Sequence, residues 1–204
     1  MPQIFSAYLY EELSEQAKKK ACDEWRHSLS GGDPFLSECI TEDFTSRLEE
    51  LGLPTDMSWS LGYCQGDGVA FTGYVDLEKY TEVHELRGWG PVEEFYTVRI
   101  YNHSRYSHWN SMTLEVSEEG DLDDPVAFWV TQHEDKLREH IEERIKEVSR
   151  ELEETGYAEI EYRDSDEFVS EEIQHAEWMF TEDGEHLPIR RRTNMVRTEE
   201  CLTT

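Results

Sequence analysis

Two short stretches of this chain hold residue types that could bind or transform a small molecule. The first is Gln65-Gly66-Asp67-Gly68. A glycine-flanked turn can turn backbone N–H groups toward an anion, with Asp67 as a carboxylate at its tip and Gln65 as a donor. The same glycines are also what a tight turn demands, so a structural role stands beside a ligand contact. No Gly-Lys-Ser/Thr follows, which excludes a P-loop. The second stretch gathers His103, Arg105, Tyr106, His108 and Trp109. His103 and His108 would ligate a metal with Asp67 if the two turns met. Five-residue spacing in a hairpin, however, places them on opposite faces. A polar and aromatic partner patch and plain cross-strand packing are the other readings. No nucleophile elbow, HExxH or comparable signature is present. Paired carboxylates carry no information in a chain with 47 acidic residues. The expectation is a non-enzyme with no catalytic residues, no metal and no cofactor.

Charge is the second informative feature. The 47 acidic residues face 19 basic ones, a formal net of −28 on 204 residues. Such a charge keeps a chain soluble but strains its compact state. Direct binding to nucleic acid or to an anionic membrane is disfavoured, because both need clustered Lys and Arg. The charge is uneven: residues 134–185 hold 20 acidic and 6 basic residues, a net of −14. Within that stretch Glu139, Glu142, Glu143, Glu147, Glu151 and Glu154 fall at three- and four-residue steps, which share a helical face. Lys136, Arg138, Lys146 and Arg150 interleave with them. A solvated helix face, a polyanion-like binding face and adaptation to high salt would all produce this pattern.

The elements that must position these residues follow from periodicity. Leu13, Ala17, Ala21 and Trp25 predict a helix over 14–30, capped by Ser14 and broken at Gly31-Gly32-Asp33-Pro34. Ile40, Phe44, Leu48 and Leu51 predict a second helix over 36–51, with Gly52 as its C-terminal cap. Trp59, Leu61 and Tyr63 alternate as a strand, Gln65–Gly68 forms a tight turn, and 69–75 returns. Residues 95–101 form a third strand and 106–116 a fourth, with a turn at 102–105 between them. A loop is expected at Gly88-Trp89-Gly90-Pro91. From Pro125 a long helix carries Phe128, Val130, Leu137, Ile141, Ile145, Val148 and Leu152 and ends at Gly156. Residues 157–162 then make a short strand or turn. A short helix around Phe168 and Ile173 and a last strand over 176–180 complete the pattern. Helices around a contiguous antiparallel sheet of about four strands make an α+β domain, expected over 1–187, with 188–204 a flexible tail. Trp25, Trp59, Trp129 and Trp178 read as core, and Trp89 and Trp109 as exposed anchors.

Cys22, Cys39, Cys64 and Cys201 are widely spread without CxxC spacing and read as free thiols. No apolar run approaches the roughly 20 residues of a membrane span. Met1-Pro2-Gln3-Ile4-Phe5 lacks the basic start and apolar stretch of a signal peptide. A cytoplasmic protein is expected.

The run Gln65-Gly66-Asp67-Gly68-Val69-Ala70-Phe71-Thr72-Gly73 is distinctive. With Glu12-Leu13-Ser14-Glu15-Gln16-Ala17-Lys18 before it and Phe180-Thr181-Glu182-Asp183-Gly184 after it, it resembles a family of uncharacterised phage and prophage proteins. That family carries ELSE-x-AK, QGDGA-x-F-x-G and FTEDG motifs in this order. Val69 stands where the family has a small residue. The resemblance implies a mobile-element origin and the host bacterial cytoplasm, and brings no catalytic mechanism.

Two functions follow as expectations. The first is a phage-encoded inhibitor that mimics nucleic acid and occupies a basic host protein: a nuclease, restriction or CRISPR component. Glu139, Glu142, Glu143, Glu147 and Glu151 would lead the contact, with Trp89 and Trp109 as anchors. An antitoxin masking a toxin differs from it only in partner. The alternative is a protein that binds or sequesters a nucleotide or other small ligand through Gln65, Gly66, Asp67, Gly68, His103 and Arg105. The long amphipathic helix could also seam a homodimer.

Overall fold

A computed structural model describes residues 6–28, 34–119, 128 and 130–188. The expected break at 31–33, the tail from 189 with Arg190–Arg192, Trp129, Cys201 and residues 120–127 lie outside the described residues. Within the stretch read as one domain, the chain clusters into two compact units, residues 1–33 with 162–204 and residues 34–161.

The larger unit contains the four-stranded sheet. Its first element is a helix, α2 (Pro34–Glu50); the helix before it, α1 (Glu15–Ser28), belongs to the smaller unit. The apolar stripe of α2, Ile40, Phe44 and Leu48, is buried. The helix stops where Gly52 turns left-handed at φ 70°, with Leu53 N–H donating to Leu48 O at 2.9 Å, a helix-ending geometry that favours glycine. Strands β2 (Asp56–Ser60), β3 (Gly68–Tyr74), β4 (Tyr96–Asn102) and β5 (Met112–Glu118) then form an antiparallel sheet in the order β2-β3-β4-β5. The α+β class and four-stranded meander expected from the sequence are present. Alternation sets the faces: Tyr96, Val98 and Ile100 are buried while Arg99 is exposed, as a period of two requires.

Three boundaries differ from expectation. Strand β2 ends at Ser60, so Leu61 and Tyr63 leave the sheet and residues 61–67 form a loop longer than a tight turn. Strand β5 begins at Met112, so residues 103–111 are a second loop at the same edge of the chain path, containing a 3-10 turn at Trp109–Ser111. Helix α4 runs over Glu134–Asp164, straight through Gly156. Residues 157–162 are therefore helical. Gly156 looked like a stop but is a packing residue: a Cβ there would sit 2.4 Å from Leu61 Cδ1 and 2.9 Å from Phe44 Cζ. The stretch 77–92, unreadable from periodicity, forms helix α3 (Leu77–Val83), whose N-terminus is capped by Asp76 accepting from Lys79 N–H at 3.1 Å, and then a 3-10 turn at Leu86–Trp89. The inward stripe of α4, Leu137, Ile141, Ile145, Val148 and Leu152, joins Phe71, Tyr80 and Val98 in one core.

The smaller unit pairs β1 (Tyr8–Leu9) with β6 (Met179–Phe180). Helix α1 packs here with helix α5 (Asp166–His175). Ala17 N–H donates to Ser14 Oγ at 3.2 Å, the expected cap. Leu13, Ala21, Cys22, Ile173 and Phe180 are the core, with Trp25 and Trp178 packed against it. Cys22, Cys39 and Cys64 are free thiols.

Candidate functional site

The loop between β2 and β3 is organised around one carboxylate. Asp67 is 7% exposed. Its Oδ2 accepts from Cys64 N–H at 2.6 Å, Gly62 N–H at 2.8 Å and Tyr157 Oη–H at 3.0 Å, and its Oδ1 accepts from Ser60 Oγ–H at 2.8 Å. The Cys64 N–H beside it holds the carboxyl below the usual carboxylate range; burial opposes this, while Ser60, Gly62 and Tyr157 add to it. Tyr157 shifts the other way: burial and donation to Asp67 push its phenol up. All four donors belong to the protein itself. Asp67 is thus inside the loop, not at its tip.

The two loops do meet. Gln65 and Gly66 form one wall of a cavity of about 590 Å³. The other wall comes from the β4–β5 loop: Ser104, Tyr106, His108, Asn110 and Ser111. Gly66, at φ 98°, lies against the Tyr106 ring, where a Cβ would come within 2.9 Å of Cδ1. Gly68, at φ 139°, lies close to the Ser107 carbonyl, 2.8 Å from where a Cβ would be. These glycines allow the two loops to touch. The β4–β5 loop is held from within: Ser111 Oγ–H donates to Tyr106 O at 2.9 Å and to His108 O at 2.6 Å, and Asn102 Nδ2–H donates to Tyr106 O at 3.1 Å. Ser107, buried, reaches Ser58 Oγ at 3.1 Å.

Two residues expected here lie elsewhere. His103 is exposed and stacks on Tyr101, ring centroids 5.8 Å apart. Arg105 lies over the Tyr106 ring, 5.0 Å from its centroid, and donates to Tyr106 Oη at 2.9 Å. Neither lines the cavity. Among the described residues no group of three or more His, Cys, Asp or Glu is placed to hold a metal.

The acidic face of α4 is divided by its own pairing. Glu139, Glu142, Glu143, Glu147 and Glu151 are all exposed. Arg144 Nη1 reaches Glu147 at 3.0 Å and Glu151 at 3.1 Å, and Arg47 adds a contact to Glu151 at 3.8 Å. None of these pairs involves Glu139, Glu142 or Glu143. At about 100° per residue, Glu142 and Glu151 stand on opposite flanks of the helix, so the five do not form one stripe. Trp89 packs partly buried against the core and stacks on His133. Trp109 is half-buried under Arg150, 4.6 Å from its ring centroid. Neither is a free aromatic anchor.

Sequence reasoning missed Tyr157, Ser60 and Asn110. Tyr157 was findable: the stripe Ile145, Val148, Leu152, Gly156 continues at three- and four-residue steps to Ile160, which argues for helix through the glycine.

Residues 36–170 match a family model described as a domain of unknown function, DUF8835. The match spans about two thirds of the chain and includes the whole sheet, α4 and both loops; the chain belongs to this family. No curated protein and no solved structure matches it.

Proposed function

We propose that this member of the DUF8835 family is a non-enzymatic binding protein whose acidic helix engages a basic, nucleic-acid-handling protein. One observation carries the reading: α4 presents Glu139, Glu142 and Glu143 to solvent outside the ion pairs that engage Glu147 and Glu151, in a chain of net charge −28. Seven carboxylates from Glu139 to Glu154 span about 23 Å of helix, roughly one per 4 Å. One DNA strand carries a phosphate about every 3.4 Å. Arg144, Lys146 and Arg150 dilute that density, so Glu139, Glu142 and Glu143 lead the contact. Lys and Arg that otherwise hold phosphates would meet these carboxylates quickly and in a salt-sensitive way.

The resemblance to phage and prophage proteins supports a host target such as a nuclease, restriction or CRISPR component, met in the bacterial cytoplasm. Among the described residues no helix is long and apolar enough to cross a membrane, which fits a partner outside the bilayer.

The test is capture from bacterial lysate at low and at high salt, with the triple variant Glu139→Lys, Glu142→Lys, Glu143→Lys as control. A basic nucleic-acid-handling protein retained at low salt, eluted by about 0.5 M salt and lost with the variant supports the reading. Retention unchanged at high salt, or equal retention by the variant, overturns it.

A further inference from the structure

The cavity between the two loops has a chemistry that the acidic helix does not explain. Among the described residues its walls contain no Lys, Arg, Asp or Glu. An anion entering it would meet no Lys or Arg side chain among the described lining residues, inside a chain whose whole field is negative. Arg105, next to Tyr106 in sequence, lies over the Tyr106 ring and donates to its hydroxyl. A cation would find no carboxylate among the described lining residues, and Asp67 behind the loop accepts from four donors of the protein itself. The phosphate of a nucleotide, the ligand first expected at this turn, therefore meets no Lys or Arg among the described lining residues.

What the walls offer is neutral hydrogen-bonding capacity. Asn110 N–H donates to His108 Nδ1 at 3.0 Å. In the neutral ring this hydrogen bond leaves the proton on Nε2, which becomes a donor. Gln65 and Asn110 are exposed and each carries a side-chain amide with a donor and an acceptor side by side. Ser104 Oγ accepts from Tyr106 N–H at 3.1 Å and keeps its own proton to donate. Tyr106, 47% exposed, adds a flat apolar surface. At about 590 Å³ the cavity lies within the roughly 300–1,000 Å³ of small-molecule sites. Its lining side chains are amides, hydroxyls, an imidazole and the Tyr106 ring.

From this we infer that the cavity binds a neutral, polyhydroxylated ligand of the saccharide class. Each ligand hydroxyl both donates and accepts, so adjacent hydroxyls match the donor–acceptor pairs of Gln65 and Asn110, with His108 Nε2–H as a further donor. The apolar C–H face of the sugar ring meets Tyr106. The loop is braced before any ligand arrives, through Ser111, Asn102 and Ser107, which reduces the ordering cost of binding. This site is independent of the acidic helix, and its affinity is expected to be insensitive to salt.

The test is amide NMR of the full ¹⁵N-labelled chain titrated with maltose, trehalose and N-acetylglucosamine, with glycerol, adenosine and adenosine monophosphate as further arms. The expected result is saturable shifts at Gln65, Tyr106, His108 and Asn110 with at least one saccharide, unchanged at high salt. The double variant Gln65→Ala, Asn110→Ala alters two exposed side chains and should weaken that response about tenfold or more, with the rest of the spectrum retained. No pocket shift with any saccharide at about 10 mM overturns the inference. So does an equal response to glycerol, or a stronger response to adenosine or its monophosphate.

Discussion

The carboxylate in the β2–β3 loop and the carboxylates on the outer face of α4 belong to the same residue class and the same compact unit, yet they do opposite things. Asp67 is buried and accepts four hydrogen bonds. It ties Ser60 at the end of β2, the backbone of 62–64 and Tyr157 of α4 into one knot. Glu139, Glu142 and Glu143 point into water, outside the Arg144 and Arg47 pairs. Removing Asp67 strands donors that were placed for it; removing an outer glutamate relieves repulsion in a highly charged chain. Acid count says nothing about which kind of residue a carboxylate is. Its surroundings decide.

The comparison can be broken by stability measurements. The largest effect is expected for Asp67→Ala, which leaves two backbone N–H groups and two hydroxyls without their acceptor; chemical denaturation should show a loss of about 2–3 kcal/mol. Asp67→Asn, which keeps one acceptor oxygen, should lose less. If both cost as little as an outer glutamate, the loop is not held by this carboxylate. Next comes Gly156→Ala. Its Cβ would press on Leu61 and Phe44, and overpacking of about 1–3 kcal/mol should outweigh the roughly 1 kcal/mol gained in helix propensity. A stabilised Gly156→Ala would show that the contact yields freely.

A pH titration separates buried groups from exposed ones. His84 Nε2 is buried without a partner, and His140 Nδ1 pairs with Tyr80 Oη at 2.9 Å. Burial holds both imidazoles below their ordinary value. For His84 the nearby His140 and Arg144 add to this and Glu147 opposes it; for His140, Glu143 and Glu147 oppose burial while Arg144 adds. The unfolded chain then binds more protons than the folded one. Stability contributed by these rings is full above about pH 6.5 and falls as the pH drops through their lowered folded values. The variant His84→Phe should flatten that slope. Asp67, also depressed, contributes above about pH 3.9 and loses its contribution as the pH falls through its folded value. The smallest effects belong to Glu139→Gln, Glu142→Gln and Glu143→Gln, each within about 0.5 kcal/mol in thermal or denaturant unfolding. A larger loss at any of them would place that residue with Asp67 rather than with the solvated face.

Much of the fold was legible. The stripes of α1 and α2, the alternation in β4 and the Gly52 cap can each be read from local pattern, because burial on one face imposes period 3.6 or 2 on the residues. The boundaries that failed share a cause. At Gly156 and at Leu61 the same local signal supports two outcomes, and a contact between residues far apart in sequence selects one. Gly156 stays in the helix because Leu61 and Phe44 occupy the space of its missing Cβ. Tyr106 to Ser111 alternates passably as strand, but His108 and Ser111 bond within their own loop and Ser107 reaches Ser58. The candidate site was half legible: Gln65 and Gly66 were singled out, whereas His103 and Arg105 turned to aromatic neighbours and Asn110 and Ser104 took their place along the cavity.

By itself the sequence determined the α+β class, the four-stranded meander and the concentration of negative charge in 134–185, since these depend on composition and near-neighbour periodicity. Only the tertiary structure decided what each carboxylate and each glycine does. Whether Asp67 meets a ligand or a knot of N–H groups depends on Tyr157, 90 residues away along the chain. Hydrogen bonding and packing are properties of neighbours in space, and the chain's own order does not state who those neighbours are.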